Sequence, residues 1–129
     1  MMEIQRLKYL RVALTVIGLF LIFGVYPLTI IWPSGWCWSP VRSEYLDMIL
    51  GIYATLGVFL VIASRDPSAH KSLIWFTIWS SVVHGGIMAA QSIQYPLDNG
   101  HLLGDVPALF GVAAILAFLV ARGGNIQNQ

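Results

Sequence analysis

Residues able to do chemistry are few in this sequence, and most of them fall on one apolar stretch. Thr77, Ser81, His84, Met88, Gln91 and Tyr95 follow one another at steps of four, three, four, three and four. That spacing sets them on one face of a helix. His84 lies near the middle of the stretch. A neutral imidazole offers one donor and one lone pair, so it can bond a small ligand, pass a proton, or ligate a metal or haem. The plainer reading is a neutral histidine bonded to a hydroxyl or carbonyl of a neighbouring helix. A metal is disfavoured, because neither H-x-x-x-H nor C-x-x-C accompanies it. Read for function, His84, Ser81, Met88, Gln91 and Tyr95 form a ligand-binding or proton-relay stripe. Gln91 and Tyr95 would lead from the histidine toward the nearer end of the helix.

A second group gathers carboxylates. Glu44 and Asp47 lie on one helical face, and His101 and Asp105 are four residues apart. A divalent cation could sit among Glu44, Asp47, His101 and Asp105. The alternative is electrostatic: acidic side chains favour helix N-termini, and Asp105 reads equally well as an N-cap. Trp75 and Trp79 share a different face from His84. A retinal or haem box built from such a pair is the less favoured reading, since no lysine sits inside an apolar run to form a Schiff base.

The elements that position these residues follow from composition. Of 129 residues, 57% are hydrophobic and 10% charged, where a soluble domain carries charge on about a quarter. Four long apolar runs separate the few charges. A bilayer core about 30 Å thick needs about 20 apolar residues of helix, and lipid offers no partner to a free backbone group. The runs are continuous rather than alternating, which excludes barrel strands. The sequence therefore predicts an all-α membrane protein, with spans at 9–31, 40–64, 67–95 and 105–121 in a single domain, 1–129. The first span is too long for the core of a cleaved signal peptide.

Start and stop signals punctuate these spans. Pro33, Ser34 and Gly35 end the first, and Pro27 is placed to kink its last turn. Ser39 and Pro40 read as N-cap and first residue of the second. Asp66 and Pro67 open the third, and Pro96, Asp98, Asn99 and Gly100 form the turn to the fourth. The short connections predict an up-down-up-down antiparallel bundle. Small residues mark close helix approaches: Gly51, Ala54 and Gly57; Ser81, Gly85 and Ala89; Gly104, Ala108 and Gly111.

Arg6, Lys8, Arg11, Arg65, Lys71 and Arg122 fall at one end of such a bundle and Arg42 at the other, which predicts both termini in the cytoplasm. Trp32, Trp36, Trp38 and Tyr45 then suit the opposite headgroup layer. A net charge of +1 argues against nucleic acid. Cys37 is the only cysteine, so no internal disulfide forms.

The segment from Leu73 to Gly86, LIWFTIWSSVVHGG, and the segment from His101 to Leu109, HLLGDVPAL, resemble those of small uncharacterised bacterial four-helix membrane proteins. The resemblance implies a bacterial inner-membrane location and no known activity. The expected function is non-enzymatic: a binding or accessory subunit for a partner protein or lipophilic ligand. The alternative is a redox or transport component that binds a quinone or relays protons along the His84 stripe. No cofactor is required by the sequence. Membrane lipid is the expected surrounding, with another membrane protein or a second copy as the other candidate partners.

Overall fold

The computed structural model describes residues 2–37 and 43–121. Four helical stretches among them are long and apolar enough to cross a membrane: α1 (Met2–Ile31), α2 (Glu44–Ala63), α3 (Pro67–Gln94) and Pro96–Ala121, of which Asp105–Ala121 is the regular helix α4. No strand occurs among the described residues. Many large apolar side chains point outward, among them Phe23, Ile52, Phe76, Val83 and Phe118. In water such a surface would drive aggregation; in lipid it costs nothing.

The helices depart from the expected spans in three places. α1 begins at Met2, so a polar turn and more extends it beyond the apolar run. Near its far end the helix does not simply kink at Pro27. Instead Phe20–Gly24 widens into a π turn, with the Val25 N–H donating to the Phe20 carbonyl, and regular helix resumes over Val25–Ile31. The Pro27 ring presses on the carbonyl one turn back and supplies no N–H to it; a wide turn there relieves both problems. α2 begins at Glu44, where the Ser43 side chain accepts a hydrogen bond from the Leu46 N–H at 3.1 Å. The suggested cap at Ser39 and Pro40 lies outside the described residues, as do Trp38, Arg42, Arg122 and the tail.

Consecutive helices run antiparallel. α1 packs on α2 and α4, and α3 packs on α4, whereas α2 and α3 meet only sparsely. The tightest crossing joins α1 to α2 through glycine. A Cβ on Gly18 would fall 2.6 Å from the Gly57 carbonyl oxygen, and one on Gly57 would fall 2.6 Å from that of Gly18. Only hydrogen fits between these backbones, as expected where lipid provides no hydrophobic drive and close packing must hold helices together. Gly85 marks the approach of α3 to α4, beside Leu109 and Phe110. Gly51, Gly86 and Gly111 face open space and mark no crossing.

The two halves of the bundle differ. The half nearer the termini is filled by Leu10, Leu14 and Ile17 of α1, Leu60 and Ala63 of α2, Ile74 and Ile78 of α3, and Ala113 and Leu116 of α4. At its end the Arg6 guanidinium donates to the Leu119 carbonyl at 2.8 Å, satisfying an acceptor in the last turn of α4. The opposite end is capped by a helical turn, Pro33–Trp36, lying against a 3-10 turn, Pro96–Leu102. Gly104 meets the Gly35 backbone so closely that no side chain fits between them. This cap roofs the half of the bundle that holds the polar residues.

Candidate functional site

Beneath the cap, all four helices diverge enough to leave a cavity of about 290 Å³. Its walls are mainly Phe20, Leu46, Ile49, Leu50, Leu109 and Val112. Polar side chains interrupt them: Ser43 and Tyr45 near the cap end of α2, and Trp36, Tyr53, His84 and Asp105.

His84 and Tyr53 form the centre of this group. Tyr53 of α2 and Nδ1 of His84 on α3 are hydrogen-bonded across the gap where those helices otherwise barely meet. Their rings also stack, with centroids 5.6 Å apart and planes 27° from parallel. Equal depth makes the pairing possible. Tyr53 is nine residues below Glu44 at the cap end of α2, and His84 is ten below Gln94 at the cap end of α3. With the phenol donating to Nδ1, the imidazole keeps Nε2–H as a donor for something else.

Asp105 supplies the carboxyl. It is 8% exposed, and the Nδ1–H of His101, itself 1% exposed, donates to its carboxylate, with both oxygens at 3.0 Å. The spacing of four brings the two together because Asp105 is the first residue of α4 and His101 stands in the preceding 3-10 turn. Asp105 therefore acts as a partner to a buried histidine rather than as a simple N-cap. Asp105 lines the same cavity as Tyr53 and His84.

Trp36 completes the ring. Its indole meets Phe20 edge-on, with centroids 5.9 Å apart and an interplanar angle of 69°. The indole Nε1 is buried and has no hydrogen-bond partner among the described residues. An unsatisfied buried donor costs about 1–3 kcal/mol, so an acceptor arriving in the cavity would find it ready.

The expected stripe on α3 divides. Thr77, Ser81 and Met88 are buried and His84 is partly buried, but Gln91 and Tyr95 are exposed, Tyr95 by 59%. The buried face continues instead through Gly85 to Ser92, which is 0% exposed with its hydroxyl unpartnered among the described residues. Thr77 turns its hydroxyl back to the Leu73 carbonyl at 2.9 Å. His84 sits on the flank facing α2, whereas Gln91 is exposed. Gln91 and Tyr95 thus lie outside the buried group around His84.

The proposed cation group also divides. His101 and Asp105 are brought together, while Glu44 and Asp47 lie on exposed positions of α2's first turn. Among the described residues no three His, Cys, Asp or Glu side chains converge as a metal site would require. Sequence reading missed Tyr53, and placed Trp36 only in a headgroup belt. The usable signal for Tyr53 was its matching depth: a hydroxyl-bearing residue in mid-span, opposite a mid-span histidine.

Residues 4–129 match a family of unknown function, DUF6632. The chain belongs to that family. No curated protein and no solved structure matches it. Membership in DUF6632 carries no activity with it, so any functional reading stands on the cavity.

Proposed function

We propose that this DUF6632 member is a four-pass membrane protein that binds a lipophilic ligand carrying a hydrogen-bonding head. Distribution of Lys and Arg supports a cytoplasmic position for both termini, and the resemblance of its α3 and α4 segments supports a bacterial inner membrane. The observation that carries the ligand reading is the unpartnered Trp36 indole nitrogen, on a residue lining the same cavity as the Tyr53–His84 pair. Ligand sites are mostly apolar with a few convergent polar groups, and this cavity has that composition. At about 290 Å³ it suits one small ring or head, while an apolar tail would leave through the sparse α2–α3 seam into lipid.

A quinone ring fits this description best. Its carbonyl oxygens accept from donors such as Trp36 Nε1–H and His84 Nε2–H, and its tail is apolar. A role in moving protons is the second reading, favoured by the placement of imidazole, phenol and carboxylate around one cavity. A calorimetric titration of the detergent-solubilised chain with a decyl-substituted benzoquinone tests the first. Saturable binding that weakens about tenfold or more in His84→Phe supports it, since each lost hydrogen bond to a buried group is worth about 1–3 kcal/mol. Equal heats from the parent and variant would refute it.

A further inference from the structure

The second large cavity lies at the other end of the molecule, where the termini are. It encloses about 560 Å³ between the start of α1, the start of α3 and the end of α4. Its floor is apolar, formed by Leu10, Ile74 and Val120, with Trp75 on the wall. Its rim carries Arg6, Lys71, Ser68 and Glu3. Arg6 is the anchored member: one guanidinium nitrogen donates to Leu119, another stands 3.9 Å from Glu3, and Nε is buried without a partner among the described residues.

We propose that this cavity holds one acidic phospholipid, with its phosphodiester between Arg6 and Lys71 and its first acyl methylenes against Leu10 and Ile74. Charge complementarity argues for it. Two cations against one carboxylate leave a single positive charge, which one phosphodiester balances. A zwitterionic lipid would bring an additional cation toward Lys71. Shape argues against free phosphate, which would occupy little of the space and leave the apolar floor uncovered. Trp75, at the level of the rim, is the residue type favoured where headgroups meet acyl chains. The site is separate from the cavity under the cap and requires only that the four helices sit in a bilayer.

The test uses the full chain in a neutral detergent, with thermal unfolding followed during titration by dioleoylphosphatidylglycerol, dioleoylphosphatidylcholine or inorganic phosphate. Phosphatidylglycerol should raise the transition temperature saturably, and the other two should not. A basic residue near an anionic lipid surface is worth about fivefold in affinity. Lys71→Gln should therefore weaken the phosphatidylglycerol effect about fivefold. Lys8→Gln removes an exposed charge outside the cavity and should leave it unchanged. Lys71 is exposed, so its replacement does not threaten folding. The proposal is overturned if phosphatidylcholine or phosphate matches phosphatidylglycerol, if no saturable shift appears, if Lys71→Gln binds as the parent does, or if Lys8→Gln loses as much as Lys71→Gln.

Discussion

Replacing Tyr53 with phenylalanine removes one hydroxyl and leaves the ring, so the stacking on His84 persists while the hydrogen bond is lost. His84 Nδ1 then has no phenol to accept from, at a level of the bundle where α2 and α3 otherwise barely meet. An unsatisfied buried acceptor costs about 1–3 kcal/mol, but His84 is only partly buried, and interhelical hydrogen bonds in membranes measure about 0.6 kcal/mol on average with a maximum near 1.7. The expected coupling between Tyr53 and His84 is therefore about 1 kcal/mol. It is measured by a double-mutant cycle of Tyr53→Phe and His84→Phe, using reversible unfolding in mixed micelles of mild and denaturing detergent. A coupling below about 0.3 kcal/mol, within the error of additivity for unconnected sites, would refute the claim that this bond ties α2 to α3.

Other outcomes follow from the same geometry. Gly57→Ala forces a methyl against the Gly18 carbonyl and should cost about 1–3 kcal/mol of stability, whereas Gly51→Ala meets nothing and should stabilise by about 0.5–1 kcal/mol; unfolding in the same micelles compares them. In the first turn of α3, the Ser68 hydroxyl donates to Asp66 at 2.5 Å and holds its carboxyl below the usual carboxylate range, helped by the Ala69 and Ser68 backbone N–H groups. Because the folded value is the lower one, this contribution is present above the unfolded value and is lost as pH falls through the folded one. A carboxyl carbon NMR titration should accordingly show Asp66 moving up toward the ordinary range in Ser68→Ala. The proposed cytoplasmic position of both termini requires Cys37 to react with an impermeant maleimide added outside intact cells; reaction only after permeabilisation, with the loop shown to be accessible, would reverse the orientation.

The spans could be read from sequence because about 20 apolar residues in a row have few other uses. His84 stood out for a related reason: an ionisable side chain in mid-span is expensive, so its presence demands a partner. The partner itself did not stand out. Tyrosine is common at membrane interfaces, and only the equal depths of Tyr53 and His84, seen across two helices, distinguish it. The exposure of Gln91 and Tyr95 has another origin. Those residues share His84's face by period, but burial on α3 is set by where Gly85 lets α4 approach, which turns the buried face toward Ser92. Hydropathy does not register a glycine's role in bringing backbones together. For the same reason the Gly18–Gly57 crossing was only half visible, with Gly57 marked and Gly18 not. Trp36 required the fold: its indole meets Phe20 and lines the cavity through the turn Pro33–Trp36, which packs against the Pro96–Leu102 turn.

The claim that the cavity under the cap holds a lipophilic molecule is tested most directly by asking what the purified chain carries. Ala108 lines that cavity, and Ala108→Phe would fill much of it while leaving the identities of Trp36, Tyr53, His84 and Asp105 unchanged. Small molecules released by organic solvent from equal amounts of folded parent and variant are compared by mass spectrometry. The parent should yield a lipophile with a hydrogen-bonding head at close to one per chain, and Ala108→Phe should yield little of it. Equal yields from both proteins, or no such molecule from the parent, would contradict the account.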